Sequence, residues 1–149
     1  MHYRKITKNP NWTKAKKIFD KSFSNDVVYE KNPAGFEHQW YFINKYGKLY
    51  GIFENDKLMG ICAWVYPVDF DNYISVIDLC VDPNERNKSY GKRILKYTLS
   101  QIKKSKFRYI DIMIDTDLKD FFEKNNFKIL FDHGEEHDEN YRYFMYYEK

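Results

Sequence analysis

Hydrophobic positions along this chain recur every second residue in some stretches and about every 3.6 residues in others, and the alternation of the two periods predicts the order β-α-α-β-β-β-α-β-α-β-β. "HYRKI" reads as a short first strand. In "NWTKAKKIFDKSF", Trp12, Ala15, Ile18, Phe19 and Phe23 fall at helical spacing behind the polar Asn11. "NPAGFEHQWYFINKYG" predicts a second helix with Asn32 as N-cap, Pro33 at its first position and Gly47 at its stop. "LYGIFE" and "LMGICAWVY" are β-rich runs joined by "NDK", where Asn55 and Asp56 suit a tight turn, so an antiparallel hairpin is expected.

After the loop "PVDFDN", the run "YISVIDLCV" is a third consecutive strand. "GKRILKYTLSQIKKS" then places Ile94, Leu95, Thr98, Leu99 and Ile102 on one helical face, and "YIDIMI" is another strand. A right-handed crossover makes these two strands parallel neighbours, which puts the turn at residues 81–92 at the carboxyl end of the first. "DLKDFFEKNN" is a short helix, and "FKILF" and "YRYFMYY" are closing strands around the acidic loop "DHGEEHDEN". The turn raises a chemical question. The first N–H groups of a helix lack internal partners and carry partial positive charge, so such ends hold anions. Arg86, Lys88, Lys92 and Arg93 crowd this one. Basic residues oppose the dipole there, and an ordinary capped, solvated helix start leaves their placement unexplained.

Composition narrows the setting. The 149 residues suffice for a single domain, 1–149, with one core, and 43% apolar with 32% charged residues excludes a disordered chain. A net charge of +3, with lysines spread along the chain, argues against nucleic acid as a partner. Fourteen Tyr and twelve Phe against six Gly predict compact packing, and the scarcity of glycine makes Gly91 informative. Cys62 and Cys80 each sit inside an apolar strand-like run without a Cys-x-x-Cys pair, so buried thiols are expected in place of a disulfide or a metal site. No stretch approaches the length of a membrane span, and the expected location is cytoplasmic.

Residues 81–92, "VDPNERNKSYGK", resemble the V-x-P-x-x-[RQ]-x-x-G-x-[GA] loop of the GNAT superfamily of acyl-CoA-dependent N-acyltransferases. Val81, Pro83, Arg86 and Gly91 match, while Ser89 stands where the first glycine is usual, a position from which a serine can cap the helix. A second stretch is similar to the family's N-x-x-A-x-x-x-Y-x-x-x-G-F in spacing. It reads Asp115-x-x-Leu118 followed by Phe121, Phe122, Asn126 and Phe127. Asn126 replaces the glycine, which its tolerance of the left-handed conformation allows. Phe122 replaces a tyrosine whose hydroxyl often protonates the leaving thiolate, and Asp115 an asparagine that commonly contacts the cofactor.

The resemblance implies a mixed, mostly antiparallel α/β (α+β) sheet of about six or seven strands flanked by about four helices, with a central parallel βαβ unit. It implies an N-acetyltransferase that moves an acetyl group directly from acetyl-CoA, as cosubstrate and without a metal, to a primary amine of a small molecule or peptide. Its backbone N–H groups at Arg86, Asn87, Lys88, Ser89, Tyr90, Gly91 and Lys92 would hold the pyrophosphate. Splayed fourth and fifth strands would admit pantetheine against Leu79, Cys80 and Val81, and Asp115 and Phe122 stand at further cofactor-binding positions of the family. A membrane is not an expected partner, and a homodimer is compatible with the family. A catalytically weak or inactive acyl-CoA-binding or protein-interaction module is the alternative.

The chemistry itself asks for a base. An amine with a pKa near ~10.4 must lose a proton before it attacks a thioester. Asp78, three residues before Val81 in an apolar strand, is the catalytic candidate because burial raises a carboxyl toward neutrality; the other reading is a strand carboxylate satisfied by a hydrogen bond or ion pair. Asp111 and Asp115 share a face of the next strand and are weaker candidates, and Tyr143 or Tyr146 offers a substitute acid. "HGEEH", residues 133–137, matches the H-x-x-E-H pattern of a zinc protease, but its polar, Gly-containing setting predicts a solvated acidic turn, and beside a substrate mouth such a loop would attract a cationic amine.

Overall fold

The computed structural model describes residues 1–23, 35–66, 73–105, 109–115, 118–133 and 142–148. The expected helix start at Asn32 and Pro33 and most of "HGEEH" lie outside the described residues. The strands are β1 (His2–Ile6), β2 (Gly47–Glu54), β3 (Lys57–Val65), β4 (Tyr73–Val81), β5 (Tyr109–Asp115), β6 (Lys128–His133) and β7 (Arg142–Glu148), and the helices α1 (Asn11–Phe23), α2 (Gly35–Tyr46), α3 (Tyr90–Ile102) and α4 (Lys119–Lys124). Their order is the one the hydrophobic pattern predicts. The strands form one seven-stranded sheet, β1-β2-β3-β4-β5-β7-β6, antiparallel throughout except for the β4–β5 pair.

Local chemistry explains the joints. Asn55 and Asp56 carry positive φ (48° and 61°), the backbone that a two-residue hairpin turn requires and that these residue types tolerate. The start of α1 is capped by Asn9: its Oδ1 accepts from the Thr13 N–H (3.2 Å) and from the Thr13 hydroxyl (2.6 Å). Asn126 adopts φ 69°, the left-handed value expected of it after α4. Gly47 joins α2 to β2 where a Cβ would run into the Trp64 carbonyl, so the stop predicted at that glycine is enforced by a neighbouring strand.

Each face of the sheet has its own core. Under α3 and α4 lie Trp64, Ile74, Val76, Ile94, Leu95, Ile110, Phe122 and Met145; under α1 and α2 lie Ala15, Ile18, Phe19, Ile43, Leu49, Ile61, Ala63 and Cys80. Both thiols are buried and free, Cys62 facing the first core and Cys80 the second. Among the described residues, no helix is long and apolar enough to cross a membrane.

Candidate active site

The site begins where β4 and β5 part. Tyr73, Ile74 and Ser75 pair in parallel with Tyr109, Ile110 and Asp111, and beyond them β5 pairs with β7 alone while β4 keeps only β3. Among the described residues, the β5-facing edge of β4 from Val76 onward is therefore open, a row of main-chain donors and acceptors with no strand on it. Leu79 and Val81 are half-buried against the α3 core, and Cys80 is buried against the α1 side.

A β-bulge sits at this opening. Ile77 pairs with Ala63 and Cys80 with Ile61, so Asp78 and Leu79 together oppose Cys62. Asp78 is the surplus residue, with φ 54°, a left-handed conformation uncommon outside glycine and more accessible to Asp and Asn than to most side chains. Strict alternation would send Asp78 to the face of Ile74 and Val76, beneath α3. The bulge reverses the phase instead. Ile77 and Cys80 both pack on the α1 and α2 side, while Leu79 and Val81 take the α3 side.

Asp78 itself meets Gln39 of α2. With the Gln39 amide turned so that its nitrogen faces the carboxylate, that nitrogen lies 2.6 Å from Oδ1 and 2.5 Å from Oδ2. Burial pushes the Asp78 carboxyl up to about 7. The neighbouring thiols are pushed up too, chiefly by burial and further by the Asp78 charge: Cys62 to about 12, and Cys80 well above the usual thiol range. On β5 the same sheet face carries Asp111, raised by burial and partly held back by a hydrogen bond from Ser75. Tyr146 lies opposite Asp111 on β7 and is half-buried. Tyr143 lies opposite Ile114, nearer the open end.

At the far end of β4 the chain makes a 3₁₀ turn (Pro83–Glu85) in which the Asp82 carboxylate accepts from the Asn84 N–H at 3.0 Å. Glu85 is clamped between Lys57 (2.6 Å) and Lys88 (2.7 Å), and these partners hold its carboxyl at about 2. Lys88 thus lends its ammonium to Glu85. Arg86, Asn87, Ser89 and Lys92 are exposed. Asn87 and Ser89 both have left-handed backbones, φ 62° and 64°. Ser89 occupies the N-cap of α3 without a side-chain cap hydrogen bond, so the expected serine cap is made by the backbone alone. The first helical bond runs from the Arg93 N–H to the Ser89 carbonyl, and the N–H groups of Tyr90, Gly91 and Lys92 precede it. The Tyr90 hydroxyl donates to Glu54 and ties this loop to the β2–β3 hairpin. A Cβ on Gly91 would lie 3.5 Å from Val81 and 3.9 Å from Phe121, ordinary contact distances, so packing does not demand a glycine there.

The fold that carries this site matches known proteins. The acetyltransferase (GNAT) family model matches residues 12–127. The chain belongs to the GNAT family. A solved aminoglycoside 6'-N-acetyltransferase in complex with coenzyme A has a TM-score of 0.80 at 14% identity, covering 99% of this chain and 97% of that one. The aminoglycoside 6'-N-acetyltransferase from Enterococcus faecium has a TM-score of 0.78 at 13% identity (99% and 97% covered), and Tetrahymena GCN5 0.74 at 16% (99% and 96%). No curated protein sequence matches the chain.

Against the GNAT motifs, Phe122 is only 2% exposed, its ring edge-on to Phe121 and Phe127. The neighbour with surface on the loop side is Phe121, half-buried and beside Gly91. Asp115 ends β5 opposite Arg142 on β7. His133 ends β6, in a strand and not a helix. Gln39 was not singled out from sequence, although it lies four residues before the buried Ile43, on the sheet-facing side of α2.

Proposed function

We propose that this GNAT protein transfers an acetyl group from acetyl-CoA directly to a primary amine, with Asp78 as the base. The observation that carries the reading is the open β4 edge, which joins the carboxylate of a bulge at one end to an anion-receptive helix start at the other. The residues present suit coenzyme A. Main-chain N–H groups from Arg86 to Lys92 would hold the pyrophosphate, aided by the dipole of α3 and the exposed Arg86 and Lys92. Main-chain groups of Leu79, Cys80 and Val81 would pair with the pantetheine amides, and an N–H of that edge would stabilise charge developing on the thioester oxygen.

Acetyl-CoA supplies the activated acyl carbon. Asp78, raised toward 7 by burial, takes the proton that the amine must lose, directly or through one water. The C–N bond forms as the C–S bond breaks, and the electron pair leaves on sulfur. A thiol with a pKa near ~8.5 departs readily as thiolate, so a dedicated acid contributes only about 10²–10⁴-fold. Tyr146 or Tyr143 on β7 could supply it. The aminoglycoside acetyltransferases of similar fold make amino sugars the first acceptors to try, followed by polyamines and peptide N-termini.

The test pairs calorimetry with an acceptor panel. Acetyl-CoA should bind, and Gly91→Glu should weaken it at least about 100-fold by setting a carboxylate against phosphate. Unchanged affinity in that variant removes the loop assignment. The buried, hydroxyl-free Phe122 favours a second reading, a binding module without turnover, and tight acetyl-CoA binding with no acetylation across the panel would select it.

A further inference from the structure

The sheet-facing side of α2 is apolar at Ile43, which is 1% exposed, yet one turn earlier the same side carries a primary amide. A half-buried Gln needs partners for its N–H groups, and Asp78 is turned out of the α3 core toward it by the bulge. Among the described residues Gln39 is the one side chain that donates to this carboxylate. We infer that Gln39 is a positioning residue: by donating to both Asp78 oxygens it holds the carboxylate ionised and aimed at the acceptor amine. The inference rests on the proposal that Asp78 is the base.

The choice of side chain fits that task. A carboxylate half out of water needs donors to stay charged, but Lys or Arg at this place would bring a full positive charge and drain its basicity. An amide supplies two N–H groups and no net charge. It also fixes the plane of the carboxylate, leaving the remaining lone pairs for the amine. The surrounding titratable groups do not compete. Cys62 on β3 and Cys80 on β4 stay as neutral thiols through the working range, Ser22 of α1 and Arg86 act only weakly on Cys80, and Asp111 on β5 is engaged with Ser75.

Carbon-detected NMR titration of the Asp78 carboxyl, alongside the pH profile of kcat/KM for acetyl transfer, tests the inference in the full chain. In Gln39→Leu the carboxyl should titrate about one pH unit higher, because hydrogen bonds to a charged group are lost, and the acid limb of the profile should move with it. Gln39→Met, closer in shape, should give the same displacement and guards against a folding defect in the leucine variant. Gln39→Glu should displace the limb upward as well, since two facing carboxylates share a proton. An Asp78 titration identical to wild type in folded Gln39→Leu or Gln39→Met overturns the inference. A titration that moves while the limb stays put leaves the hold on the carboxylate standing and refutes Asp78 as base, as wild-type turnover in Asp78→Asn also would.

Discussion

Asp78→Asn should make the protein more stable at pH 8 while disabling it. Asn tolerates the left-handed backbone of the bulge and keeps the size of the side chain, and a rotated Gln39 can face it amide to amide. What disappears is an ionised carboxylate out of water. Raising that carboxyl from 3.8 to about 7 corresponds to about 4 kcal/mol of penalty on the charged form, at about 1.4 kcal/mol per pH unit. The Gln39 N–H shared between the two oxygens returns about 1.5–3 kcal/mol of it. The variant should therefore gain about 1–3 kcal/mol at pH 8, or about 2–4 °C in Tm per kcal/mol. The sign follows from proton uptake. Between the unfolded carboxyl near ~3.9 and the folded one, raised by burial and drawn part of the way back by Gln39, the native wild type binds more protons than its unfolded chain, so its stability falls as pH rises through that window. Below pH ~4 both states are protonated and the advantage of the variant should vanish. Urea titrations followed by tryptophan fluorescence at pH 4, 6 and 8 read the effect, and turnover with a fixed amine should drop about 10²–10⁴-fold. A stability difference that ignores pH, or a variant weaker than wild type at pH 8, would refute the account of Asp78 as a destabilising, buried charge.

Two further substitutions probe the flanks of the site. Ser89→Gly should stabilise the fold by about 1 kcal/mol in a thermal melt, by relieving a left-handed backbone that its side chain does nothing to offset, with acetyl-CoA affinity held or improved; a loss of stability would mean that the serine side chain contributes after all. Phe122→Tyr should cost about 1–3 kcal/mol by burying a hydroxyl between Phe121 and Phe127, without raising kcat, and a rate gain above about 10³-fold would show that the missing acid was the whole obstacle.

Local signals carried most of the architecture. Helical spacing in α1 and α3, the Asn55-Asp56 turn and the Asn126 cap are each written within a few residues, and the structure follows them. What the sequence concealed depended on partners distant along the chain. "VIDLCV" is an apolar run that shows no sign of a bulge, and only pairing with β3 makes Asp78 surplus and reverses the faces on either side. The Gln39 contact spans two elements that no short window contains. The Lys88 ammonium reads as one more free charge at the helix start, and only the structure shows that it is paired with Glu85. Ser89 reads as a side-chain cap, but a left-handed N-cap takes its hydroxyl out of the usual geometry. Phe122 matches a functional spacing, yet its ring belongs to the core.

The bulge in β4 has an implication for how this chain could change over time. Remove position 78, and Ile77, Leu79, Cys80 and Val81 fall into unbroken alternation, each on the face it already occupies and opposite the β3 neighbour it already has. The scaffold has no need of that residue. Its proposed chemistry would therefore occupy the one place on the strand where the fold imposes no hydrophobic requirement and no pairing partner, and the chain could gain, exchange or discard a reactive group there while the sheet around it stayed in register.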